Sequence, residues 1–413
     1  MATKIPKIRF SRFDAAWEQR KLIDEVELFG GLTYSPKDVV PSPGSIVLRS
    51  SNVKGGEISL DDNVYVLKEK ATSTPVQLND IIVVVRNGSR SLIGKHAIVK
   101  APLNNAVIGA FMTGFRTKQP DFINVLMDTH AFKKAITENL GATINQITGG
   151  MLKQMVFFMP ASEKEKRAIG NLFRTLDDAL ALHQKKLKHF KNLKESLLQN
   201  MFPREGEIFP RLRFPEFTDA WEQCELGSLA EVTKLAGFEF TKYVNYSDNG
   251  TIIALRGLNI KEGLLDLKDV KYIDGSDLSK LARSKLFVDD IVFTYVGTVG
   301  EVALIPQNDR FYLAPNVARI RINKPLSSAF LACQLGSPFF YQRIIFPLIA
   351  TSSQPALSMQ NIRKFNLGLP QLEEQEKIAS LFAQIGNVIT LHQRKLAQLK
   401  KLKTCLFNNL FVN

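Results

Sequence analysis

Residues 163–201, EKEKRAIGNLFRTLDDALALHQKKLKHFKNLKESLLQNM, and their echo at 373–410, EEQEKIASLFAQIGNVITLHQRKLAQLKKLKTCLFNNL, decide the fold. At heptad spacing Ile169, Leu176, His183, Phe190 and Leu197 form one column, with Phe173, Leu180, Leu187, Lys194 and Met201 beside it. The echo supplies Ile378, Ile385, His392, Leu399 and Leu406, then Phe382, Ile389, Leu396, Lys403 and Leu410, each displaced by 209 positions. An apolar seam repeating every ~3.5 residues without proline predicts a long coiled-coil helix. At ~1.5 Å per residue each helix runs about 58 Å. So narrow a seam cannot be buried alone, and the two helices are expected to bury each other. A parallel, in-register pair would set Lys194 against Lys403 and His183 against His392, and facing like charges cost stability. The expectation is therefore an antiparallel pair with one globular unit near each end.

Outside the helices the chain repeats itself once. IRFSRFDAAWEQRKL at 8–22 returns as LRFPEFTDAWEQCEL at 212–226, and both tryptophans, Trp17 and Trp221, lie in this element. It reads as an aromatic staple seating each half in its core. SIVLRSSNVKGGEISLDDNVYV at 45–66 answers to TIIALRGLNIKEGLLDLKDVKYI at 251–273. Two short β runs around a glycine-containing turn predict a hairpin with a basic, polar tip, bearing Arg49, Asn52 and Lys54 in one half and Arg256, Asn259 and Lys261 in the other. NDIIVVVRNGSRSLIGKHAIV at 79–99 then parallels DDIVFTYVGTVGEVALI at 289–305. The frame is shared and the loop is not: Arg86, Asn87, Ser89 and Arg90 stand in the first, Tyr295 and Thr298 in the second.

Helical segments are expected around 122–140 and 326–346. A loop bearing Gly, Ser and Gln, with Gln146 in one half and Gln354 in the other, then leads to a strand ending at proline (141–160 and 350–370). An acidic stretch opens each long helix, where the helix dipole favours negative charge. The order is domain 1–160, long helix 161–202, domain 203–369 with 203–210 as linker, and long helix 370–413.

A chain of 413 residues, 45% hydrophobic, can bury sizeable cores, and a net charge of +14 points toward a polyanion. Three scattered cysteines indicate neither a disulfide framework nor a zinc knuckle, and fit a reducing cytosol. The start, MATKIPKIRF, lacks a signal peptide's apolar core, and no run of about 18 apolar residues predicts a membrane span. The reading is a soluble cytoplasmic protein with no membrane partner.

Catalytic motifs are missing. The sequence holds no Gly-x4-Gly-Lys-Ser/Thr phosphate loop, no Gly-x-Ser-x-Gly elbow and no Asn/Asp-Pro-Pro-aromatic tetrapeptide. Asp266-Leu-Lys268 faintly resembles the end of a metal-nuclease motif, but the matching stretch at 59–64 lacks it, and solvated turn charges account for it. His183 and His392 read as seam residues that tune register, not as metal ligands. The weight falls on binding. Arg, Asn, Gln and Ser on glycine-rich loops are the residue types that read base edges, while the lysines of the helices suit a solvated face or phosphate contact. A coiled-coil scaffold that does not touch DNA is the alternative.

The element RFPEF-x-x-x-WE-x-x-x-L at 213–226, the helix start EEQEKIA at 373–379 and the duplicated plan resemble the specificity (S) subunit of type I restriction–modification enzymes. The first half departs locally, with Ser11-Arg12 in place of Pro-Glu and Glu163-Lys-Glu-Lys-Arg in place of Glu-Glu-Gln. The resemblance implies an α+β architecture of two globular α/β target-recognition domains separated by an antiparallel coiled coil, with an internal pseudo-two-fold repeat. It implies a non-catalytic, DNA-binding role in host defence, each domain reading half of a split, asymmetric target in double-stranded DNA. It further implies two methyltransferase (M) subunits that methylate adenine N6, and restriction (R) subunits. No cofactor is then expected on this chain, since S-adenosylmethionine, ATP and Mg belong to those partners. DNA re-presents the same groove face about every 10 bp, so a stiff ~58 Å spacer suits two readers a turn or more apart. Inserting seven residues into both long helices should lengthen the unread gap in the methylated sequence; an unchanged gap, measured by mapping modified adenines, would sink the spacer role.

Overall fold

The computed structural model describes residues 4–140, 145–204, 206–350 and 354–412. The chain forms two compact units, one from residues 1–184 with 394–413, the other from residues 185–393. Each unit takes half of each long helix. The helices run Glu163–Asn200 and Leu372–Leu410, and among the described residues no helix is long and apolar enough to cross a membrane.

In the first unit a four-stranded antiparallel sheet orders its strands as Glu27–Gly30, Met112–Arg116, Ile81–Val84 and His96–Ile98. A second sheet runs Ala106–Ile108, Ser45–Leu48, Val64–Val66 and Val39–Val40, its first pair parallel. The run IIVV at 81–84 is wholly buried because it lies between two cores. Ile81 and Val83 enter the core with Trp17, Phe115 and Phe173, whereas Ile82 and Val84 enter the one with Val53 and Ile108. A strand covered on both faces needs no polar alternation. The expected helix at 122–140 is two, Pro120–Asp128 and His130–Asn139, parted at Thr129, whose hydroxyl accepts from Phe132 N at 3.3 Å and starts the second.

The second unit repeats this plan. Its sheet orders Ala230–Lys234, Val317–Ile322, Ile291–Thr294 and Val302–Leu304. Its second sheet pairs Ile253–Leu255 with Phe311–Leu313 in parallel and with Lys271–Tyr272 antiparallel. Ile291 and Phe293 again face one core and Val292 another. The helix expected at 326–346 is Ser328–Leu335, followed by the short Pro338–Phe340 and a wider turn at Tyr341–Ile345.

The tryptophan element is the staple that closes each unit. Glu18–Lys21 pairs antiparallel with Val156–Met159, the strand leading to the first long helix, and Glu222–Glu225 pairs likewise with Asn366–Leu369. Arg9 grips Glu165, in the first turn of that helix, through two bonds of 2.7 Å, and Trp17 Nε1 donates to the same carboxylate at 3.2 Å. Arg213 grips Glu374 at 2.8 and 2.7 Å. Both carboxylates are buried at helix N-termini, where the dipole and a bidentate guanidinium stabilise them together.

Within each unit the helix halves pack antiparallel. In the first, Phe173 meets Phe407 with centroids 4.5 Å apart, and Lys403 pairs with Asp177. In the second, Phe190 stacks on His392 at 5.9 Å and Phe202 on Phe382 at 6.2 Å. Rising numbers on one helix meet falling numbers on the other. Every expected seam residue is buried or half-buried: Ile169, Phe173, Leu176, Leu180, Leu396, Leu399 and Leu406 in the first unit, and Leu187, Phe190, Leu197, Ile378, Phe382, Ile385 and Ile389 in the second. Gly170 is required: a Cβ there would lie 2.7 Å from the Phe122 nitrogen, so the helix at 120–128 could not approach.

The core around Trp17 and Phe122 also contains Leu410 and Phe411, from the far end of the chain. Phe411→Ala should cost about 3–5 kcal/mol in that unit. Hydrogen exchange should then speed at 112–128 and stay unchanged at 291–294; equal protection at 112–128 in both proteins would refute it.

Candidate nucleic-acid interface

The two hairpins are built alike, and their asparagines are internal struts. Asn52 is 0% exposed. Its Oδ1 accepts from Arg49 N at 2.8 Å, and its Nδ2 donates to the carbonyls of Ser59 and Asp62 at 3.0 and 3.1 Å. Asn259 accepts from Arg256 N at 3.1 Å and donates to Asp266 O and Asp269 O at 3.0 and 2.7 Å. This corrects the expectation that these asparagines face a nucleic acid: their amides are consumed in closing the turn. Arg49 pairs with Asp62 at 3.0 Å and Arg256 with Asp269 at 2.9 Å, so neither guanidinium is uncommitted. Lys54 and Lys261 are exposed beside Asp61 and Asp266, at 3.3 and 3.5 Å. Asp266 also accepts from Lys268 N at 3.2 Å, as a turn carboxylate does. Among the described residues no cluster of three or more His, Cys, Asp or Glu could hold a metal ion.

The glycine-rich loops are where the units diverge. In the first, Arg86 bridges antiparallel to Gln146, bringing together two expected site residues 60 positions apart. Asn87 lies beside them, its Nδ2 donating to Ser50 Oγ at 3.1 Å and its Oδ1 accepting from Ser89 N at 2.9 Å. Ser89 and Ser91 share a hydroxyl bond of 2.9 Å, while Arg90 turns aside to the Leu140 carbonyl at 3.1 Å. Residues 141–144 of the following loop lie outside the described residues.

Sequence reasoning missed Phe111. It is 53% exposed, and its ring lies under the Arg86 guanidinium at 4.9 Å from carbon to centroid. The signal was available: it occupies a tight turn, closed by Met112 N to Gly109 O at 2.9 Å, where polar residues are the rule.

In the second unit Val296 bridges to Ala356, as Arg86 does to Gln146. Tyr295 N donates to Asn316 O at 3.1 Å, matching Val85 N to Phe111 O at 3.0 Å, so Asn316 occupies the place of Phe111. Tyr295, expected at the interface, is instead 9% exposed within the core, and burial raises its phenol pKa. The reason is register: it continues the buried strand Ile291–Thr294 by one residue. Thr298 and Gln354 are exposed; residues 351–353 lie outside the described residues.

The two units share a duplicated β frame and differ in the loops that it carries. Residues 218–401 match the family described as the type I restriction modification DNA specificity domain. The chain is 23% identical over 380 residues to the EcoKI specificity subunit of Escherichia coli K12, covering 86% of this chain and 77% of that protein. It is 24% identical over 392 residues to the StySPI specificity subunit of Salmonella potsdam, covering 87% and 80%. Its fold is similar to a crystal structure of the type I restriction–modification S subunit from M. genitalium, with a TM-score of 0.63 and 12% identity over 99% of each chain. Residues 218–401 thus match that family's domain, and most of the chain is similar to type I restriction–modification specificity subunits.

Asn52→Ala strands three backbone groups and should cost about 1–3 kcal/mol. It should lower the midpoint of urea unfolding and leave the recognised sequence unaltered; a changed sequence preference would restore Asn52 as a reader.

Proposed function

We propose that this chain reads a bipartite, asymmetric site in double-stranded DNA, with residues 1–160 and 203–369 as its two target-recognition domains. The observation that carries the reading is a shared frame with opposite chemistry at equivalent positions: Arg86 and Gln146 in one unit, Val296 and Ala356 in the other. Polar and apolar side chains contact different groove groups, so the two half-sites differ. The net charge of +14 supplies phosphate contacts that set the register without carrying sequence.

In this reading the chain itself performs no chemistry. It delivers DNA to two methyltransferase subunits that use S-adenosylmethionine to methylate adenine N6, and to restriction subunits that use ATP and Mg to cleave unmodified DNA. The relatives named as specificity subunits of type I restriction enzymes support this assembly.

The test is exchange of residues 45–160 for those of a relative, followed by mapping of methylated adenines in cells carrying the cognate methyltransferase. One half of the recognised sequence should change and the other persist. Changes in both halves would overturn modular reading. Duplex binding that ignores salt across 50–200 mM would favour a scaffold, because phosphate contacts release counterions.

A further inference from the structure

Resting on the DNA-reading function above, the geometry points to a sharper assignment inside the first unit. We infer that Arg86 and Gln146 read a guanine and a nearby adenine in one half-site, and that Phe111 is the positioning residue that holds the Arg86 guanidinium for that contact.

The first support is commitment of hydrogen bonds. Arg9, Arg49, Arg116 and Arg174 of this unit each pair with a carboxylate, and Arg90 is held by a backbone carbonyl. Arg86 has no carboxylate partner among the described residues, and its side chain is exposed. Among the described residues its guanidinium meets the face of Phe111. A guanidinium lying over an aromatic face leaves the N–H donors around its own edge available for hydrogen bonds. That is the presentation a bidentate contact to guanine O6 and N7 needs.

The second support is rigidity. Val85 N and Arg86 N both donate to the Phe111 carbonyl, at 3.0 and 3.1 Å, and Ile147 N donates to Val85 O at 2.8 Å. Three chain segments, 85–86, 111 and 146–147, are thereby tied at one point. Residues opposite in an antiparallel bridge have Cβ atoms about 4.5–5.5 Å apart. Arg86 and Gln146 are such a pair. Against a rise of about 3.4 Å per base pair, that spacing spans one to two steps. Gln146, half-exposed with no side-chain hydrogen bond among the described residues, suits adenine N6 and N7. The neighbouring Asn87 and Asn145 amides are occupied, by Ser50 and Ser89 and by the Gly88 carbonyl respectively.

An exposed phenyl ring at a tight turn costs solubility and adds little to a core. Stacking that aligns a reading side chain gives it a role, and the second unit, which has Val296 in place of Arg86, has Asn316 in place of Phe111.

The experiment uses the chain assembled with its methyltransferase partners, binding a library of duplexes varied in both half-sites, with methylated adenines mapped in parallel. Arg86→Ala and Arg86→Lys should each relax one G·C position of a single half-site by about ten- to a hundredfold, since lysine keeps the charge but lacks the fork. Gln146→Ala should relax an A·T position one or two steps away. Phe111→Leu should weaken the same G·C position as Arg86→Ala, several-fold, and Phe111→Tyr should preserve it. The proposal is overturned if Arg86→Lys retains full discrimination, or if Arg86→Ala weakens all sequences equally and flattens the salt dependence, as loss of a phosphate contact would. It is overturned equally if Phe111→Leu relaxes a different position. Each of these three results leaves DNA reading itself intact. A wild-type complex with no sequence preference would instead defeat the underlying function.

Discussion

An apolar stripe repeating every ~3.5 residues is too narrow to bury itself, and this constraint organises the molecule. Each unit covers it by packing half of one long helix against half of the other, and the first unit takes its second half from the far end of the chain. The core seated on Trp17 is completed by Leu410 and Phe411. The one seated on Trp221 combines Leu198 and Phe202 with Ile378 and Phe382. The first unit is therefore discontinuous in sequence, joining 1–184 to 394–413, whereas the second, 185–393, is a single stretch. Antiparallel packing is what charge demanded: Lys403 meets Asp177, not the lysine at the equivalent place in the repeat.

The local departures at the first helix start also have a physical account. Lys166 is 0% exposed, yet its ammonium bonds both Glu25 oxygens at 2.6 Å and Glu163 at 2.7 Å. The corresponding Gln375 accepts from Ser327 N at 3.0 Å and donates to Pro370 O at 2.7 Å. One unit anchors its helix start through a buried lysine paired with two glutamates, the other through a neutral amide. A buried charge is tolerable only when fully paired, and removing one partner is costly. Glu25, Glu163 and Lys166 therefore form a set. The Arg–Glu clamps beside them, Arg9 with Glu165 and Arg213 with Glu374, are common to both units.

The division between frame and loop explains how one fold can hold two different readers. Strands 81–84 and 291–294 are buried on both faces and tolerate little change. The residues just beyond them are freed from the sheet, and there arginine and valine occupy the same bridge position. Chemistry varies where packing stops constraining it.

Periodicity and duplication are local or comparative signals, so the seam, the antiparallel choice and the order of elements were legible in the residues alone. Availability of a side chain is not. Arg, Asn and Tyr in a polar loop look alike as letters, but Asn52 and Asn259 spend every amide contact on their own turns, and Tyr295 points inward because the strand runs one residue further. Phe111 and Gln146 stand 25 and 60 positions from Arg86, and only the folded sheet sets them beside it. Sequence by itself determined the scaffold, because burial patterns repeat along the chain. Tertiary structure decided which polar groups remain for a partner, because that depends on which hydrogen bonds distant segments have already claimed.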